Sequence, residues 1–157
     1  MKRRLLITSA SVRTREIALK KAPAIEVFDG IFARSVRKYV REELIHPGDI
    51  LFVSPTLGLI PALKDLDSNE VDKATNWHRP KVNQRELTAL NKDALCILKN
   101  MTMTKYTEVF VNVGKNLYPI IAGINKIFPY PIIQAEGRGI GPKAAHMKAW
   151  VLNNRAE

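Results

Sequence analysis

Among its 157 residues the chain carries a single cysteine, Cys96. One cysteine excludes an internal disulfide and any zinc site built on several cysteines, and it fits a reducing compartment. Long apolar runs are missing as well: none approaches the roughly 20 residues that a membrane-spanning helix needs, so no membrane partner is expected. The opening "MKRRLLITSASVR" sets basic residues before an apolar run, but that run is too short for the core of a signal peptide, and a cytoplasmic location is expected. Histidine is sparse, and His46, His78 and His146 are scattered, so no metal site is expected. His46 lies in an "HPGD" turn, where a surface role fits better than ligation. Paired acids occur only as Glu42 and Glu43, at an expected helix end. Internal repeats and low-complexity segments are lacking too.

Acidic residues are in deficit: 15 Asp and Glu stand against 25 Lys and Arg, a formal net charge of +10. The resulting isoelectric point near 9.9 gives the molecule a field that attracts polyanions, nucleic acid foremost. The bland counterpart is a basic surface that only keeps the protein soluble. With 46% hydrophobic and 25% charged residues, the composition is that of a globular protein, and the length suits one domain over residues 1–157.

Strand-like and helix-like segments alternate. "RLLITSA" (4–10), "DILFVSP" (49–55), "TEVFVNVG" (107–114) and "YPIIQAEG" (130–137) are short apolar runs ending in small or polar residues, as buried parallel strands do. Between them, Phe32, Val36, Tyr39, Val40 and Leu44 share one helical face, and Arg34, Arg37, Lys38 and Arg41 fall on the other. A second helix is expected over 84–98, with Leu87, Leu90, Ala94 and Leu98 inward. A third is expected after Gly114, from the spacing of Leu117, Ile120, Ile121, Ile124 and Phe128, and a fourth after Pro142. This order predicts an α/β fold: a three-layer sandwich around a mostly parallel sheet of about four strands, with helices on both faces. Residues 56–83 are expected to form a long functional or mobile loop.

In such sheets ligands bind beyond the carboxyl ends of the strands, where loops meet helix N-termini whose free N–H groups favour anions. The residues just past each expected strand are small, hydroxylic or basic: Thr8, Ser9 and Ser11, then Ser54, Thr56 and Gly58, then Asn112, Gly114 and Lys115, then Gly137, Arg138, Gly139, Gly141 and Lys143. Parallel strands would bring all four groups to one mouth. Asp29, just before the first helix, is a candidate for the same site and equally a helix cap. "NWHRP" in the expected loop pairs Trp77 with His78 and Arg79, a combination suited to stacking on a base, though Trp77 equally suits a loop anchor. Trp77 and Arg79, with Arg34, Arg37, Lys38 and Arg41, form the candidate nucleic-acid surface.

"GRGIGPK" (137–143) is the densest glycine stretch. It lacks Walker A spacing and matches a dinucleotide fingerprint only at its first two glycines. A helix-hairpin-helix needs a preceding helix, which Pro129 and Pro131 disfavour. Two readings stay open. In one, glycines let backbone approach a ligand, Pro142 takes the first helical position, and Arg138 and Lys143 add charge. In the other, it is a close-packed turn without a ligand.

"VFDGIFARSVRKYV" (27–40), "DILFVSPTLGLIP" (49–61), "VFVNVGKNL" (109–117) and "GRGIGPKAAHMKAWV" (137–151) together resemble a largely uncharacterised family of small α/β domains. That family shows an aromatic-Asp/Thr-Gly-x-x-Phe signature, a strand ending in Ser before Gly-Leu, and a Gly-rich turn before a Trp-containing helix. "SPTLGLIP" is also similar to the core domain of archaeosine synthase, which modifies a 7-cyano-7-deazaguanine base in tRNA. The resemblance implies a Rossmann-like or uracil-DNA-glycosylase-like sandwich, and chemistry on nucleobases or nucleotides. Where the synthase core carries Pro-Cys and then Lys-Pro-Tyr, this chain has Thr8 and Ser9 within "TSASVRTREIALKKA" and no Lys-Pro-Tyr, with Lys20 and Lys21 the only nearby substitutes. The partner expected is therefore a nucleotide or nucleic acid, tRNA or other RNA ahead of DNA. Two roles follow: an enzyme of tRNA or nucleobase modification using Ser9, Ser54, Asn112 and Arg138, or a non-catalytic RNA- or DNA-binding module of the same fold. No particular cofactor, base or oligomeric state is implied.

Overall fold

A computed structural model describes residues 3–11, 13–15, 21–75 and 84–153. Its centre is a five-stranded sheet, to which the chain contributes β1 (Arg4–Ser9), β3 (Ile50–Ser54), β4 (Gly58–Pro61), β6 (Glu108–Asn112) and β7 (Ile132–Gln134). Strands β2 (Lys21–Pro23) and β5 (Asp65–Asp67) form a separate antiparallel pair. The helices are α1 (Ala24–Val27), α2 (Ile31–Arg41), α3 (Ser68–Thr75), α4 (Gln84–Met101) and α5 (Ile140–Asn153).

The strand order is β4-β3-β1-β6-β7. Strands β3, β1, β6 and β7 run parallel, with Leu6 opposite Ile50, Leu6 opposite Phe110, and Phe110 opposite Ile133. These are the four expected strands, but the sheet is larger and mixed. Strand β4 turns straight back on β3 in antiparallel register, pairing Ser54 with Gly58. The expected long loop from residue 56 is thus largely occupied by β4, β5 and α3, and residues 76–83, with Trp77 and Arg79, lie outside the described residues.

Side chains alternate across a strand with a period of two, and the apolar core divides accordingly. Leu6, Phe52 and Phe110 pack with Phe28, Ala33, Val36 and Tyr39 around α2 and with Met147, Trp150 and Val151 of α5. Leu5, Ile7, Leu51, Val53, Val109 and Val111 pack instead with Ala94 and Leu98 of α4 and with Ile120, Ile121, Ile124 and Phe128. The apolar spacing read as a third helix therefore identified core residues correctly but not their backbone. Tyr118–Ile121 and Ile124–Lys126 are two short 3-10 turns. Pro119 offers no N–H to an α-helical ladder, Ala122 is extended, and Gly123 follows at φ +98°, so the helix cannot propagate.

One end of the sheet is tied down by charge. At the amino edge, Arg3 and Tyr106 converge on the buried Asp49 carboxylate, the tyrosine hydroxyl donating at 2.8 Å. Burial and this contact push the Tyr106 phenol well above its usual pKa. Among the described residues no helix is long and apolar enough to cross a membrane.

Candidate functional site

In the order β3-β1-β6, the chain leaves β1 for β3 on one side and later returns to β6 on the other. Adjacent crossovers diverge at such a point and leave a crevice at the carboxyl ends of the strands. Thr8 and Asn112, register partners at the ends of β1 and β6, stand there.

Thr8 has the parity of Leu6, and Asn112 that of Phe110, so both side chains belong to the face covered by α2 and α5. Both are buried. The Asn112 carboxamide Nδ2 donates to Thr8 Oγ1 at 3.2 Å and contacts Met147 Sδ of α5 at 3.6 Å. Its Oδ1 is buried without a protein partner. Whichever way the amide is turned, Thr8 and Met147 meet one end of it, and the other end is left unmatched. A buried, unmatched amide oxygen costs about 1–3 kcal/mol, so its retention asks for an explanation.

Two helix N-termini flank this pair. Helix α2 begins after Gly30, which has no side-chain cap. Gly30 packs so closely on the β1 exit that a methyl there would sit 2.3 Å from Ser11 Cβ. Helix α5 begins at Ile140, so Pro142 is its third residue rather than its first. The position still suits proline, because N–H groups of the first turn have no partner within the helix. Gly137 at φ +117° and Gly139 at φ +86° turn the chain into α5. Gly137 is a packing glycine, since a methyl on it would lie 2.3 Å from Pro142 Cβ, whereas Gly139 and Gly141 open onto free space. Arg138 is exposed and Lys143 partly so. His146 braces the turn from within: its Nδ1 accepts the Glu136 N–H at 2.9 Å, and its ring meets Phe110 edge-on at 5.0 Å. With Nδ1 occupied as acceptor, neutral His146 carries its proton on Nε2.

The other expected site residues divide by what already occupies them. Ser9 lies on the opposite parity, and its hydroxyl donates to the Asn112 carbonyl at 3.3 Å. Ser54 Oγ accepts the N–H groups of Thr56 and Leu57 at 3.3 and 3.2 Å, closing the β3–β4 hairpin. Gly58, at φ +75°, ends that hairpin beneath Leu90, 3.0 Å from where its methyl would be. Gly114 is a turn residue whose carbonyl accepts from Leu117 and Tyr118, and Lys115 beside it is exposed. Asp29 does not cap α2. Its carboxylate is taken by Arg34 and Arg37, at 3.2 and 2.8 Å, one to two turns into the helix.

On α2, Arg34, Lys38 and Arg41 are exposed, but Arg37 is turned inward. Its guanidinium donates to the carbonyls of Ile25 and Phe28 and to Asp29, which locks α1 to α2. Sequence periodicity places Arg37 on the polar face and does not show that its head folds back over the helix entrance. Thr8 was expected at the mouth as a strand-end residue, whereas Met147 and His146 were not among the expected site residues and had no signal beyond the spacing of an amphipathic helix.

Compared with protein-family models, with curated proteins and with solved structures, the chain gives no match.

Proposed function

We propose that this protein binds a nucleotide unit, free or within a nucleic acid, at the carboxyl edge of the sheet, with RNA, tRNA foremost, preferred over DNA. The observation that carries the reading is the unpartnered Oδ1 of buried Asn112 beneath the middle of α5. An amide oxygen there suits a donor such as an exocyclic base amine. The open backbone at Gly139 and Gly141 with Lys143 suits the phosphate, since helix N-termini favour anions. The net charge of +10 steers polyanions to the molecule. A three-layer arrangement, α2 and α5 against α4 across the sheet, fits the two apolar clusters.

Between the two roles, a binding module is favoured over a base-modifying enzyme related to archaeosine synthase. The Ser9 and Ser54 hydroxyls are engaged with backbone groups, and among the described residues neither is hydrogen-bonded to a carboxylate or imidazole that could act as its base. The cytoplasm is the compartment proposed.

The test is an NMR titration of the full chain with mononucleotides, a short single-stranded RNA and its DNA counterpart. The expected result is perturbation of the Asn112 side-chain amide and the 139–143 backbone amides, strongest with RNA. Saturable binding that leaves both unchanged would overturn the proposal.

A further inference from the structure

A second concavity lies away from this edge. The amino ends of the parallel strands are marked by the Pro47–Asp49 turn before β3 and by the end of β4, where Pro61 pairs with Leu51. There the C-terminal half of α2 and the short α1 enclose a cleft of about 430 Å³. That volume falls within the roughly 300–1,000 Å³ typical of small-molecule sites.

Its lining has two characters. Ile25, Val40 and Leu63 form an apolar wall, and Leu63 is 51% exposed although its neighbours Ala62 and Leu66 are fully buried. Arg15, Arg37 and Arg41 supply three guanidinium groups. Arg15 pairs with Glu26 at 3.1 Å, and Arg37 is committed to backbone carbonyls and Asp29. Arg41 has no such partner among the described residues, while its apolar neighbour Val40 is half-buried. A cation is repelled by this set. A bare inorganic anion would leave the Leu63 wall in water, and a neutral apolar molecule would leave the Arg41 charge unmatched.

We propose that this cleft binds an organic oxyanion carrying an apolar body, its phosphate or carboxylate held by the Arg41 fork with Arg15 beside it, its body against Leu63, Val40 and Ile25. Guanidinium groups take either oxyanion in the same bidentate manner. The site is independent of the Asn112 edge, and neither depends on the other being occupied.

Binding of 2-naphthyl phosphate, 2-naphthoate and inorganic phosphate to the full chain, followed through the Val40 and Leu63 methyl resonances, tests it. At least one naphthyl probe is expected to saturate the site and to bind about tenfold or more weakly to Arg41→Gln, as loss of a charged hydrogen bond requires. Leu63→Ser, at an exposed position, is expected to weaken the same probe several-fold, Asn112→Ala to leave it unchanged, and inorganic phosphate to bind far more weakly. The tighter naphthyl probe identifies phosphate ester or carboxylate as the native headgroup. Absence of saturation by both naphthyl probes, affinity indifferent to Arg41→Gln, or shifts confined to the Asn112 edge would each overturn the proposal.

Discussion

The guanidinium of Arg4, on the first strand, lies over the indole of Trp150, on the last helix, 4.1 Å from the ring centroid. The same guanidinium donates to the carbonyls of Trp150 and Val151, and the indole N–H donates to Glu108, the register partner of Arg4 on β6. A buried cation thus meets the negative end of α5 and holds its far turn to the sheet. Because α5 carries the glycine turn at its other end, this contact also sets where that turn sits.

Arg4→Met should lower stability by about 2–4 kcal/mol, since it removes the cation and strands two buried carbonyls. Arg4→Lys should recover only part, because an ammonium lacks the planar fork that reaches both carbonyls while stacking. Chemical denaturation of the three proteins checks this, and a lysine variant as stable as the parent would contradict it.

Asn112→Ala should change stability by only about 1 kcal/mol, the scale of one hydrogen bond to Thr8, because the unmatched oxygen is removed along with it. Nucleotide affinity should fall about tenfold, and Thr8→Val should weaken the same ligand less. Calorimetric binding and melting of both variants separate a ligand contact from a packing role, which would show as lost stability with affinity unchanged.

Within the glycine turn, Gly141→Ala is the cleaner probe. Position 141 is helical, has no positive φ and faces open space, so alanine should stabilise the fold by about 0.4–1 kcal/mol. If backbone N–H groups there meet a phosphate, the same methyl should weaken binding. Gly139→Ala is confounded by its φ of +86° and should lower the melting temperature. Lys143→Ala should weaken binding mildly without affecting melting. A stabilised Gly141→Ala protein that binds normally would show the turn to carry no ligand.

Charge reversal at Arg34, Lys38 and Arg41 together should flatten the salt dependence of RNA binding, as fewer counterions are released. Arg37 must be left intact. Arg37→Ala should instead cost about 2–3 kcal/mol of stability by stranding carbonyls at the α1–α2 corner. Affinity measured across salt concentrations gives the slopes, and an unchanged slope in the triple variant would remove α2 from the interface.

The Asp29 carboxyl is held below its ordinary pKa, first by the hydrogen bond from Arg34 and then by Arg37, against partial desolvation. The native state therefore binds this proton less readily than the unfolded chain. The stabilisation is complete above the ordinary aspartate range and is lost as pH falls through the lowered value. Asp29→Asn should accordingly flatten the acid limb of the stability profile and leave the alkaline limb unchanged, as measured by melting across pH.

Apolar patterning by itself determined four parallel strands, the α2 and α4 helices and the core residues of those elements, because burial follows hydrophobic periodicity whatever the partner, whereas Phe28, Ile60 and Leu66 are buried without having been marked by it. Ile120, Ile121, Ile124 and Phe128 are buried as their spacing demands, although Pro119 and Gly123 divide their backbone into 3-10 turns. Glycine and hydroxyl residues at strand ends marked the carboxyl edge, since parallel strands all end on one side. Tertiary structure alone decided how those residues were used. A hydroxyl's partner is set by strand order and register: Ser54 closes a hairpin only because β4 turns back on β3, and Ser9 meets the Asn112 carbonyl only because β6 returns beside β1. The unmatched oxygen of Asn112, the inward turn of Arg37 and the cleft at Leu63 arise from groups distant in the chain meeting in space, and local periodicity holds no record of such meetings.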